Sequence, residues 1–126
     1  MIDHLVIHVS NIENSGQFYD KALKTIGYKN LYDAPVEFNG RMSLGWEDSN
    51  KAELYITESS STEPKIHLAF RAENRDQVDA FYKAAIAAGG TDNGKPGLRP
   101  EYHENYYGAF VLDPDGHNIE AVCHKA

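Results

Sequence analysis

The chain has 126 residues, with 12 basic and 19 acidic side chains and a formal charge of −7: room for one domain with a real core, and a field that argues against nucleic acid as a partner. The single cysteine, Cys123, excludes an internal disulfide and suits a reducing compartment. The N-terminal residues lack a signal-peptide pattern and no apolar run approaches the ~20 residues of a membrane span, so a cytoplasmic protein without membrane contact is expected.

In chain order, Leu5, Ile7 and Val9 alternate with His4, Val6 and His8, the period of a strand with one face on a core. A helix follows, with Ser10 and Glu13 as its capping pair, Ile12, Tyr19, Leu23 and Ile26 on one stripe, and Gly27 at its end. The runs Tyr28–Tyr32, Gly40–Trp46 and Ala52–Thr57 are β-prone, and a Ser- and Pro-containing segment, Glu58–Lys65, links to what comes next. There the pattern starts again. Ile66, Leu68 and Phe70 alternate with His67, Ala69 and Arg71; Asn74 and Gln77 cap a second helix carrying Val78, Phe81, Tyr82, Ala85 and Ile86, closed by Gly89–Gly90. The Gly- and Pro-rich stretch Thr91–Tyr102 carries no clear period. Tyr106–Leu112 and Asn118–His124 read as a hairpin, joined through Asp113-Pro114-Asp115-Gly116 in a type I turn.

The two halves are copies. Laid over each other at an offset of 63, His4–Gly27 and His67–Gly90 share seven identities in 24 positions: His4/His67, Leu5/Leu68, Asn11/Asn74, Phe18/Phe81, Tyr19/Tyr82, Ala22/Ala85 and Gly27/Gly90. The expected fold class is α+β: one domain, 1–126, made of two tandem βαβββ modules, 1–58 and 65–126, forming a curved, mainly antiparallel sheet around a cavity.

If the apolar residues of each strand face the helices, the alternate residues face away, into the cavity. That puts His4, His8, His67 and Arg71 on the open face, with Glu53, Tyr55 and Thr57 from the first copy and Glu120 and Val122 from the second. A one-residue change of phase would bring Glu47 or Glu58 in place of Glu53. Two imidazoles and two carboxylates, a matching pair from each copy, suit one divalent metal ion (Zn, Ni, Co, Mn or Fe) with positions left for water or substrate. In Pro96–Tyr107, an aromatic and basic segment, Arg99, Tyr102 and His103 are candidates for the cavity mouth, where an arginine grips a carboxylate. His8, Tyr55 and Arg71 are further candidates for substrate contact. Cys123 falls on the apolar face, as a packing residue.

His4-Leu5 at the start, Glu53 late in the first copy, Ile66-His67-Leu68-Ala69 opening the second, and Asp113-Pro114-Asp115-Gly116-x-x-x-Glu120 near the end together resemble the vicinal oxygen chelate superfamily. That group includes glyoxalase I, type I extradiol dioxygenases, fosfomycin-resistance enzymes, methylmalonyl-CoA epimerase and bleomycin-binding proteins. The resemblance implies His4, Glu53, His67 and Glu120 as metal ligands, meeting within one chain or across a homodimer. It also implies a catalytic glutamate, Glu120 in preference to Glu53, that moves a proton between adjacent carbons. The leading expectation is a glyoxalase I-like lyase or isomerase acting on a small oxygenated substrate through a metal-stabilised enolate. One alternative is an extradiol dioxygenase-like oxidoreductase, although Ala109 and Phe110 stand where that signature has an aliphatic residue and a tyrosine. The other is a metal-free small-molecule binding protein of the bleomycin-resistance type.

Overall fold

The computed structural model describes residues 2–48 and 52–126. The first half holds β1 (Leu5–Val9), α1 (Ile12–Lys24), β2 (Lys29–Asn30), β3 (Val36–Phe38), β4 (Arg41–Glu47) and β5 (Ala52–Glu58); the second holds β6 (His67–Arg71), α2 (Arg75–Ala87), β7 (Thr91–Leu98), β8 (Tyr107–Leu112) and β9 (Asn118–Cys123). The strands form two sheets, β1-β5-β4-β2 with β3 also on β4, and β6-β9-β8-β7. In each, the strand before the helix runs parallel to the last strand, β1 to β5 and β6 to β9, while the remaining ladders are antiparallel. The α+β class and the duplicated architecture follow.

Local chemistry explains the departures from the expected elements. The cap of α1 is Asn11, not Ser10: its side chain accepts from the backbone N–H groups of Glu13 and Asn14. Asn11 is the repeat partner of Asn74, which caps α2 through Gln77 N while the Gln77 side chain returns a bond to Glu73 N. The unforeseen strand β3 pairs with β4 around Asn39–Gly40, both at positive φ (52° and 77°). An Asn-Gly pair favours this two-residue hairpin turn. Thr91–Leu98 is strand in spite of its Gly and Pro because its register breaks twice against β8, between Asp92 and Gly94 and again between Gly94 and Gly97.

One core runs through both halves. Ile7, Phe18, Tyr19, Leu54 and Trp46 from the first half and Phe81, Val111 and Ile119 from the second are all buried in it, and Cys123 is a buried free thiol. The closest approach occurs at Gly90. A methyl group there would lie 2.4 Å from Val111 Cγ1 and 2.8 Å from both Ala85 O and Phe18 Cε1. Gly90→Ala is therefore expected to cost about 2–3 kcal/mol, through displacement of well-packed neighbours. A chemical denaturation curve with an unchanged midpoint would refute this.

The turn after β8 fastens the halves together. Asp113, buried, accepts from the Tyr19 hydroxyl at 2.6 Å and from the backbone N–H groups of Asp115 and His117 at 2.9 Å. Asp115 accepts from Ser10 N. The buried His117 accepts from Ile66 N at Nδ1 (3.2 Å) and donates from Nε2 to the His8 carbonyl (2.9 Å), which assigns it the neutral Nε2–H tautomer.

Candidate functional site

The repeat can be followed into the sheets residue by residue. On β6 and β9, Ala69 stands opposite Glu120; on β1 and β5, Val6 stands opposite Tyr55. Since Val6 and Ala69 are repeat partners, the position equivalent to Glu120 in the first half is Tyr55, not Glu53. The side chains agree with the backbone. His67 Nε2 lies 3.2 Å from Glu120 Oε1, and the His4 ring packs edge-on against Tyr55 with centroids 5.6 Å apart.

Glu53 is turned elsewhere by a bulge. Trp46 pairs with Leu54 and Glu47 with Ala52, leaving Glu53 without an opposite residue on β4. Its carboxylate accepts from the Tyr28 hydroxyl at 2.8 Å, and Tyr28 packs against Phe70 in the core layer. Glu53 thus lines a cleft of about 670 Å³ with Leu5, Leu54, Phe70 and Arg71, away from the face that His4 and Tyr55 share. Burial, and secondly the Glu53 carboxylate, push the Tyr28 hydroxyl pKa far up, so it remains a donor. The expectation that Glu53 shares an open face with His4 is corrected accordingly. Glu58, the other neighbouring carboxylate, caps the start of α1 by accepting from Ile12 N.

His67, Glu120, Tyr102, His103, Tyr106 and Phe110 line a second cleft, of about 470 Å³, on the open face of the β6–β9 sheet. Glu120 is only 1% exposed, its Oε2 accepting from the Tyr106 hydroxyl. Tyr106 is not among the candidates read from the sequence; the signal for it is its place in the aromatic run beside Tyr102 and His103. The His67 ring stacks on Phe110 with centroids 6.1 Å apart. The Arg99 guanidinium also lies over Phe110, 5.4 Å from its centroid, and donates to the Lys95 carbonyl at 2.7 Å. His103 Nε2 meets His124 Nδ1 at 2.6 Å, and Tyr102 is exposed at the rim. His8 and Arg71 are exposed on β1 and β6, outside this cleft.

The two histidines have the same polarity. His4 Nδ1 is engaged by Asp3 at 2.7 Å, and His67 Nδ1 donates to the Asn118 carbonyl at 3.1 Å, so Nε2 is the nitrogen left for a ligand in both. Their side chains are 52% and 51% exposed. One chain does not unite the halves of the site: among the described residues no three His, Cys, Asp or Glu are grouped closely enough to hold a metal ion.

Comparison with known proteins agrees with this architecture. Over its full length the chain is similar to a glyoxalase/bleomycin resistance protein from Albidiferax ferrireducens T118, with 31% identity, 98% of each chain covered and a TM-score of 0.75. It shares its fold with a mutant of FosX, the genomically encoded fosfomycin resistance protein of Listeria monocytogenes, solved with Mn(II) and 1S,2S-dihydroxypropylphosphonic acid; there the identity is 16%, the coverage 97% and 88%, and the TM-score 0.70. It is also 26% identical to the uncharacterized protein YqjT of Bacillus subtilis strain 168, over 95% of this chain and 96% of that one. The family model of the Glyoxalase/Bleomycin resistance protein/Dioxygenase superfamily matches residues 1–121. By sequence and by fold, the chain belongs to that superfamily.

Proposed function

We propose that the protein is a metal-dependent enzyme acting on a small oxygenated substrate, with His67 and Glu120 of one protomer completed by His4 of a second copy. Members of the superfamily typically bind a divalent metal ion and a small-molecule substrate, and often form dimers. The observation that carries the reading is the approach of His67 to Glu120. With Nδ1 donating to the Asn118 carbonyl, His67 turns Nε2 toward Glu120 Oε1, 3.2 Å away. A ring nitrogen and a buried carboxylate that close share a cation, which is either the proton of an imidazolium or a metal ion. The donor set, imidazole nitrogen and carboxylate oxygen, suits Zn, Ni, Co, Mn or Fe.

When bound, a divalent ion there supplies Lewis-acid stabilisation of negative charge developing on vicinal substrate oxygens. Oε1 of Glu120, the oxygen that Tyr106 leaves open, would serve in turn as ligand and as the base that moves a proton between adjacent substrate carbons. Tyr102, Tyr106, Phe110 and His103 wall the cleft, and Arg99 beside Phe110 supplies positive charge for an anionic substrate group. The division of the site supports a homodimer. His4 and His67 belong to different sheets, both half-exposed, and among the described residues neither half alone offers three ligands.

One observation favours a second reading. With Tyr55 at the carboxylate-equivalent position, the ligand set is two His and one carboxylate, the set of non-haem iron oxygenases. Phe110 in place of the ring-cleavage tyrosine weighs against it. Protein grown without added metal and never exposed to chelator is expected to run as a dimer in sedimentation and to carry roughly one equivalent of divalent metal per chain. Zinc, nickel, cobalt or manganese supports the lyase or isomerase; iron with oxygen uptake on catechols supports the oxygenase. A chain that neither holds nor takes up metal, and binds small molecules equally well in EDTA, overturns both in favour of a binding protein.

A further inference from the structure

Glu120 has two carboxylate oxygens, and they are not equivalent. Oε1 faces His67; Oε2 is taken by the Tyr106 hydroxyl. Because the side chain is buried, what Glu120 presents is decided by its protein neighbours rather than by solvent.

The surroundings of Tyr106 are built to hold this contact. Gly108 lies where the phenol and the carboxylate meet, and a methyl group there would come within 3.1 Å of Tyr106 Cε1 and 3.2 Å of Glu120 Oε2. The Tyr106 ring is braced edge-on by Tyr102, His103 and His124, with centroids 4.9, 5.3 and 5.4 Å away. His103 and His124 are themselves joined, and Asn105 N donates to His103 Nδ1, so His103 donates from Nε2. That bond ties the β7–β8 connection to the residue after β9, the strand that carries Glu120.

We infer that Tyr106 is a positioning residue: it occupies Oε2 of Glu120 and so leaves Oε1 as the single oxygen offered to a cation beside His67. The inference rests on the metal reading above. It makes Glu120 a one-oxygen ligand whose orientation is set by a residue that touches neither metal nor substrate carbon. Removing the phenol's hydroxyl leaves Oε2 buried without its donor and the carboxylate free to rotate.

The test uses the full-length protein titrated with Zn2+ against a chelating dye and with Mn2+ by electron paramagnetic resonance, alongside thermal melts. Tyr106→Phe is expected to weaken metal binding by about 10–100-fold, the usual effect of losing a partner behind a ligand, while melting within a few degrees of the unmodified protein. Gly108→Ala, which pushes the phenol and carboxylate apart by another route, is expected to weaken binding in the same direction. Tyr82→Phe on α2 serves as the remote control. If Tyr106→Phe binds both ions as tightly as the unmodified protein, the inference falls and the metal reading stands. An affinity loss that tracks a collapse in melting temperature also overturns it, by giving Tyr106 a structural role alone. If the unmodified protein binds neither ion, both fall together.

Discussion

Glu120→Gln is expected to reduce turnover by about 1000-fold or more and to strip the metal, with the fold intact, while Glu53→Gln leaves both within about twofold. Glutamine has the shape of glutamate, and its oxygen can still accept from Tyr106, so packing around position 120 survives. What disappears is the negative charge beside His67 and the capacity to carry a proton. Glu53 has the same claim from its residue type and its place near the end of the first copy. It differs in where the bulge at Trp46–Glu47 sends it: toward Tyr28 and the core layer, with Tyr55 occupying the place beside His4. Metal content and metal affinity of the two variants, measured together with turnover, separate them. Equal metal loss in both would mean that the register equivalence of Tyr55 and Glu120 misidentifies the ligand.

Asp113→Ala is expected to lower stability by about 3–5 kcal/mol, a large share of the roughly 5–15 kcal/mol available to a domain of this size. The substitution removes a buried acceptor from three donors at once, the Tyr19 hydroxyl and the N–H groups of Asp115 and His117. Tyr19 is itself fully buried on α1, so its hydroxyl would be stranded in the core. The turn would also lose the shape that lets Asp115 reach Ser10 and His117 reach His8, the two bonds to the strand and helix start of the other half. Thermal unfolding followed by circular dichroism should shift down by roughly 10–20 °C. Tyr19→Phe, which removes only one donor, should cost about 2 kcal/mol. A shift of only a degree or two for Asp113→Ala would show that the turn is ornamental to the union of the halves.

Much of this architecture is legible in the chain because duplication writes the same physics twice. His4/His67, Asn11/Asn74 and Phe18/Phe81 mark a strand start, a helix cap and a core position in each copy, and alternation and helical spacing name the buried faces. The cap of α1 falls one residue later than expected because Ser10 is as good a capping type as Asn11; the repeat itself holds the answer, since Asn74 aligns with Asn11. Asn39–Gly40 carries the unforeseen hairpin. The site is legible as types and faces on one side only. Alternation is a rule of period two, and it holds along β9, where the pairing with β8 is unbroken, so Glu120 falls where expected on the strand. It fails at Glu53 because one unpaired residue shifts the phase and leaves no trace in composition. Tyr106 meets Glu120 across a hairpin and Asp113 meets Tyr19 across the two halves, contacts that no local period encodes. The meeting of His4 with the second half involves another molecule altogether under the proposed reading.

The bulge also separates the history of the backbone from that of the side chains. On both sides of the duplication the parallel strand pairs keep the same frame, Val6 against Tyr55 as Ala69 against Glu120. What differs at this position is the chemistry mounted on that frame, a phenol at 55 where the second copy mounts a carboxylate at 120. A carboxylate introduced at position 55 would therefore stand opposite Val6 in the frame in which Glu120 stands opposite Ala69, with no strand to shift.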